Sequence, residues 1–313
     1  MSRGAEVRRR LDSAETLGTV VTTMKTLASV RIGQYRRSVA ALEASSTTLD
    51  LALQAVVTLY PELLEDAAVP AGSSLAAVVF GSDRGLCGPF NERVAQHAAQ
   101  TLPAPQLTDG EGSPSVSRSR EAPPDDAPAI LAVGRRMVPR LRARGLHVEQ
   151  QVRPPGALDT VDTAVMDVLV HVDAWRSAAR ADRLLLIHAQ PTSAAAYEPR
   201  VVQVLPLDTA WLRTLRGRPW PTKRLPMAIS DAHDLVQGVV RQRIAHALVR
   251  AFAASQAAEN AARLAAMDAA ERNIEERITA LRTAYNQARQ NAITEELLDI
   301  QAAYAATGGE RLG

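Results

Sequence analysis

The chain has 313 residues, enough for about two domains, and this excludes the small scaffolds held together by disulfides or zinc. Its 36 Lys+Arg residues nearly balance 34 Asp+Glu, and the formal charge of +2 excludes a basic field of the size that nucleic acid requires. Hydrophobic residues make up 46% but aromatics only 4%, so alanine and small aliphatics favour helix over sheet, and the single Cys87 excludes an intrachain disulfide and fits a reducing compartment.

The first element spans 1–60. Alternate steps of three and four pick out Val7, Leu11, Ala14, Gly18, Val21, Lys25, Ala28, Ile32, Tyr35, Val39, Leu42, Ser46, Leu49, Leu53, Val56 and Tyr60. This is a coiled-coil seam of about seven heptads, in which Gly18, Lys25 and Ser46 are the departures. Proline first appears at Pro61, which allows one helix of ~80 Å. A second stripe, Leu17, Val20, Met24 and Leu27, lies beside the seam. A helix with two apolar faces is either a buried core helix or one whose outer face runs against another protein. Arg3, Arg8, Arg9 and Arg10 resemble a transit peptide only superficially, because Glu6 and Asp12 interrupt them, and the segment reads as mature sequence. No run reaches the roughly 18 apolar residues that span a bilayer.

Residues 70–210 change texture. Strand-like runs at 75–80, 129–133, 148–152, 184–189 and 201–205 alternate with helical stretches at 91–102, 135–144 and 160–179. The pattern predicts a Rossmann-like α/β domain with a mainly parallel sheet. Residues 103–128 depart from it, carrying six prolines among Ser, Asp, Glu and Gly, and read as a disordered surface insertion. A proline-marked connecting strap is expected over 211–229. The last element, 230–306, begins with Ser230 or Asp231 as N-cap and contains no proline and one glycine, Gly238, which allows a helix of ~110 Å. Leu264, Met267, Ile274, Ile278, Leu281, Tyr285, Ala288 and Ala292 fall on a heptad seam, and the alanine-rich stretch 248–270 allows close helix approach. Residues 307–313 read as a flexible tail. The fold class is α/β: a long antiparallel coiled coil of the terminal helices plus the central α/β domain.

The candidate chemistry is sparse. Gly81-Ser-Asp-Arg-Gly-Leu-Cys-Gly-Pro-Phe-Asn91 follows a strand and precedes a helix, where phosphate loops sit, but it lacks the Gly-Lys-Ser/Thr of a Walker loop and the G-x-G-x-x-G spacing. A structural turn is the better reading. Cys87 with His97 or His188 offers a nucleophile and a base without a third group to orient them. Histidines at 97, 147, 171, 188, 233 and 246 make no metal-binding spacing, so no metal or cofactor is expected. The arginine runs at 135–136, 140–144 and 213–218 lack interleaved aromatics and read as solvated faces or protein contacts. Over 285–300, Arg289, Gln290, Thr294 and Glu296 project away from the seam and offer donors and acceptors on a helix surface.

Taken together, 7–31 with Met24 and Ala28, Ser82-Asp-Arg-Gly-Leu-Cys-Gly88 followed by Asn91, Ala261-Ala-Arg-Leu-Ala-Ala-Met267 and 285–300 resemble the gamma subunit of the F-type ATP synthase, the central rotor stalk. The resemblance runs over nearly the whole chain, and the last motif is the most specific. It implies a non-catalytic shaft. Terminal helices wind inside a ring of alpha and beta subunits, and the α/β domain contacts epsilon and the membrane ring of c subunits, with no nucleic acid and no membrane insertion. It further implies peripheral attachment at the cytoplasmic face of a bacterial cell membrane. Residues matching the family's contacts to a beta-subunit loop are Arg289, Gln290, Thr294 and Glu296 and, across the coil, Met24 and Lys25; Asp83, Arg84, Gly85, Cys87 and Gly88 match its structural loop. Pro89 and Phe90 stand where the family usually has glycine and leucine, and Gly18, Thr19 and Thr22 replace a more basic stretch. The resemblance points to a bacterial enzyme, with an alternative ion-pumping subtype as one form it could take. The chloroplast form's regulatory cysteine pair is excluded. Two readings stand beside this one: an α/β enzyme with helical arms that binds a nucleotide at 81–88, and an unrelated coiled-coil scaffold.

Overall fold

The computed structural model describes residues 3–61, 74–103, 127–156, 160–193, 196–224, 226–227 and 231–308. The insertion expected at 103–128 lies, apart from its edges, outside the described residues, as do 225, 228–230 and the end of the expected tail, 309–313. The chain forms two compact units, one of Met1–Leu27 with Leu264–Gly313 and one of Ala28–Arg263. Helix α1 (Arg3–Leu59) stops before Pro61, and helix α6 (Ala232–Gly308) starts after Asp231, whose carbonyl accepts the first helical bond from Leu235 N at 3.0 Å.

The larger unit holds a five-stranded sheet in the order β3-β2-β1-β4-β5, formed by β1 (Leu75–Phe80), β2 (Ala129–Val133), β3 (Gln150–Val152), β4 (Arg183–Pro191) and β5 (Tyr197–Leu205). β1 pairs in parallel with β2 and β4, β2 pairs in parallel with β3, and β5 runs antiparallel to β4. Helices α2 (Phe90–Thr101), α3 (Met137–Arg142) and α4 (Val161–Ser177) link the parallel strands. The sheet is mainly parallel, as the alternating texture implied.

β3 begins two residues after its expected start, and α6 runs two residues into the expected tail. Two further differences have identifiable reasons. β5 begins at Tyr197, four residues before the expected start, and runs through Pro199. It is an edge strand, where a missing N–H is tolerated. The strap expected from residue 211 is corrected in its first part, which is helix α5 (Thr209–Arg216). Asp208 caps this helix, its Oδ1 accepting from Ala210 N at 2.8 Å and Trp211 N at 3.3 Å, and no proline intervenes before Pro219.

Residues of β1 alternate between two apolar layers, as period-two geometry demands. Ala76, Val78 and Phe80 join α4 residues such as Val168 and Leu169, with Leu248 and Phe252 of α6. Ala77 and Val79 join Val94 and Ala98 of α2, Met137 and Leu141 of α3, and Ala258 and Ala262 of α6. One helix therefore contributes to both layers, and every residue of α6 from 251 to 262 is buried. On its remaining side, Tyr35 of α1 packs against Ala253 and Ala257. Further along, His246 Nε2 lies 3.0 Å from the Leu42 carbonyl and Arg243 lies 3.5 Å from Asp50, so α1 and α6 run antiparallel here.

The smaller unit has the same antiparallel sense. Lys25 lies 2.7 Å from Asp268, Glu15 lies 2.7 Å from Arg282, and Arg8 donates to the Tyr285 hydroxyl at 3.5 Å. Every seam position from Val7 in α1 to Tyr60 just past its end is buried or half-buried. A Cβ at Gly18 would sit 3.5 Å from Ile274 Cγ2, an ordinary contact, so glycine here is not a steric requirement.

Candidate functional site

The loop after β1 lies at the carboxyl end of the sheet, where the chain order reverses between β1 and β4, the place where doubly wound folds usually bind ligands. Two things occupy it. Asn91 closes the loop on itself: its Oδ1 accepts from Ser82 N at 2.9 Å and its Nδ2 donates to Ser82 Oγ at 2.7 Å, while Ser82 Oγ donates to the Arg84 carbonyl at 2.8 Å. Asp83 accepts from both the backbone and the guanidinium of Arg135, at 3.1 and 3.0 Å. Burial raises the Asp83 pKa, but these Arg135 bonds and charges outweigh it and leave the carboxyl below its ordinary value. The other occupant is α6, whose Ala258 and Ala262 pack in one cluster with Cys87, Ile187 and Ala189.

The loop's backbone depends on close approach. A Cβ at Gly134, where φ is +93°, would lie 2.6 Å from the Ser82 carbonyl oxygen, and one at Gly81 would lie 2.7 Å from Met137 Cβ. Gly88 adopts φ +53° at the turn into α2, whereas Gly85 shows no positive φ and has only the Arg136 guanidinium nearby.

Cys87 is buried, and its hydrogen-bond contacts among the described residues are Ser82, Asn91 and the Arg84 carbonyl; neither His97 nor His188 is among them. Burial pushes its thiol pKa up, the opposite of an activated thiolate. His188, on β4, sends Nδ1 to the Ala189 carbonyl at 3.1 Å, and burial holds its ring below the usual imidazole range. The native chain is accordingly expected to react with a neutral maleimide at least about a hundredfold more slowly than the unfolded chain, because both access and thiolate fraction are suppressed. Labelling followed by mass spectrometry measures this, and equal rates would contradict the buried-thiol geometry.

The residues singled out on the terminal helices fall in two places. Lys25 donates to Glu271 at 2.9 Å and pairs with Asp268, and Thr22 donates to Glu271 at 3.0 Å. Hydrogen bonds to Asp268 and Glu271 hold the Lys25 ammonium above the ordinary lysine range, and the bonds from Lys25 and Thr22 hold Glu271 below its own. Met24 beside it is half-buried. Arg289, Gln290, Thr294 and Glu296 are all exposed, and Thr294 bonds back to the Gln290 carbonyl at 2.9 Å. Eighteen residues separate Glu271 from Arg289, about 27 Å along a helix. The fold therefore opposes Lys25 to Asp268 and Glu271 and does not bring it to Arg289.

Two features of these helices went unread in the sequence. Every residue of α6 from 291 to 300 is exposed, and Ile293, Leu297 and Ile300 form an i, i+4, i+7 stripe at 47%, 57% and 61% exposure. That periodicity was the signal. In the alanine-rich stretch, Glu259 and Arg263 are a buried i, i+4 ion pair, at 7% and 12% side-chain exposure. Their spacing is that of an ordinary surface pair, so burial alone distinguishes them.

A doubly wound α/β body whose ligand crevice is filled by its own C-terminal helix, with both terminal helices antiparallel, has the fold of ATP synthase central-stalk chains. A chain in the structure of the Euglena gracilis mitochondrial ATP synthase rotor superposes with a TM-score of 0.57 at 16% identity, covering 93% of this chain and 98% of that one. A chain from the OSCP/F1/c-ring structure of the same enzyme gives a TM-score of 0.60 at 17% identity, covering 99% and 96%. Among curated relatives, the ATP synthase gamma chain of Desulforamulus reducens is 25% identical over 98% of this chain and 99% of its own length. The ATP synthase family model matches residues 3–307, and the chain belongs to that family.

Proposed function

We propose that the chain is the gamma-type central-stalk subunit of an F-type ATP synthase, a rotor that couples ion flow through a membrane sector to ATP synthesis or hydrolysis in a ring of alpha and beta subunits. It performs no chemistry itself. The terminal helices form the shaft, and the α/β body meets an epsilon subunit and a ring of c subunits at the cytoplasmic face of a bacterial membrane. No helix among the described residues is long and apolar enough to cross a membrane. The division of labour follows the chain: 1–60 and 230–306 as shaft, 70–210 as body.

The observation that carries this reading is a family match over residues 3–307 in a chain whose two terminal helices both keep apolar residues in the open. Leu17, Val20 and Leu27 on α1 are 53%, 46% and 56% exposed, beside Ile293, Leu297 and Ile300 on α6. Apolar stripes left in the open on a helix call for an enclosing partner. A rotor biases the conformations of surrounding subunits only through unequal contact with them, and exposed donors such as Arg289 and Gln290 supply that inequality.

Replacing Arg289 and Gln290 together by alanine is expected to lower coupled ATP turnover of the reconstituted complex by about tenfold, the kinetic equivalent of one lost charge-assisted hydrogen bond. Helix content of the isolated subunit should be unchanged. Unaltered coupling removes these two residues from the contact surface, and failure of the chain to purify with alpha and beta partners defeats the rotor reading itself.

A further inference from the structure

In the larger unit a cavity of about 460 Å³ is lined by α1, β4, β5, α5 and α6. Three guanidinium groups line it: Arg200 from β5, and Arg243 and Arg250, two turns apart on one face of α6. The two carboxylates of its lining are both engaged. Asp50 pairs with Arg243, whose guanidinium also lies 4.3 Å from the centroid of the Trp211 ring, and Asp208 caps α5. This leaves Arg200, which donates to the neutral Gln190 at 2.6 Å, and Arg250, which makes no ion pair among the described residues. Burial, followed by the charges of Arg200 and Arg250, lowers the His188 pKa, and burial with the charge of Arg250 lowers that of Arg243 despite Asp50. The lining groups thus feel one another's positive charge.

We propose that this cavity binds a small phosphate-bearing anion, held by the Arg200 and Arg250 guanidinium groups and bounded by the Trp211–Arg243 stack. Its volume falls in the range of small-molecule sites. Guanidinium forks match phosphate oxygens two at a time, which suits Arg200 and Arg250 at the open side of this cavity. Gln190 and the neutral His188 add hydrogen-bonding capacity without negative charge. Arg200 comes from a strand 50 positions from Arg250, so only the folded chain assembles the pair. The proposal stands apart from the rotor reading, since it needs only the α/β body and the helices packed on it.

The test is calorimetric titration of the full chain with inorganic pyrophosphate at low ionic strength, with parallel titrations of inorganic phosphate and ADP. Saturable binding of one pyrophosphate per chain is expected, weakened at least about tenfold in the R200Q/R250Q variant and less in R250K, which keeps the charge but loses the fork. R142Q, which removes an exposed charge from α3, should leave it unchanged. Tighter binding of ADP identifies a nucleotide as the source of the phosphate, and equal or weaker binding identifies a free phosphate species. Both replaced arginines are exposed, so the variants retain the fold, which circular dichroism checks. Absence of saturable pyrophosphate binding, or equal affinity in R200Q/R250Q and the unaltered chain, overturns the proposal.

Discussion

Replacing Arg263 by alanine is expected to destabilise the chain by about 3–5 kcal/mol, the usual cost of leaving one member of a buried ion pair without its partner. Arg263 donates to Glu259, and its second terminal nitrogen donates to Asn260 Oδ1 at 3.0 Å, so the substitution strands a carboxylate that is almost wholly enclosed. Burial already raises the Glu259 pKa above its ordinary value of 4.5, even though Arg263, Arg31 and Arg84 pull it down. Without Arg263 it must rise further. A carboxyl whose pKa is raised on folding binds more protons folded than unfolded from the ordinary value up to the raised one, so stability falls as pH climbs through that window. Denaturant unfolding of R263A should therefore show a larger deficit at pH 8 than at pH 5. A variant as stable as the parent at pH 8, or equally weakened at both pH values, contradicts the buried-pair account.

Phe252→Ala should cost about 3–5 kcal/mol, because truncating a fully buried ring loses its transfer free energy and leaves a cavity that the surroundings only partly fill. Phe252 is 1% exposed and meets Phe80 edge-on, ring centroids 5.0 Å apart and planes at 84°. That contact joins the last residue of β1 to α6, so the loss falls on the joint between sheet and helix. Phe252→Leu, which keeps most of the volume, should cost less, below about 2 kcal/mol. Equal unfolding midpoints for F252A and F252L would show that the ring does not seat α6 on the sheet.

How much of this could be read beforehand depends on whether a feature is local. The α1 seam was legible residue by residue, because a heptad pattern states which side chains face a partner, and positions such as Val21, Ala28, Ile32 and Tyr35 are buried as it requires. The parallel strands were legible because 75–80 and 129–133 are continuous apolar runs that only a sheet covered on both faces can bury. The start of β5 was hidden by Pro199, which argues against a strand unless its edge position is known. Helix α5 was hidden among prolines, although Asp208 announced it. Enclosure of 251–262 was not legible at all, since an alanine run reads alike whether a helix or a sheet covers it. The same holds for the placing of Arg200 and Arg250 on the lining of one cavity, which no spacing along the chain encodes.

The enclosure of those twelve residues has a mechanical consequence. A side chain on every azimuth of the helix is meshed with a neighbour, through Phe252 on one flank, Ala258 and Ala262 on another, and Ala253 and Ala257 against Tyr35. Rotating that segment about its own axis would require all of these teeth to disengage at once, because close-packed interiors yield in discrete steps and not by continuous deformation. The α/β body is thus splined to its helix, and torque applied to one is delivered to the other without slip.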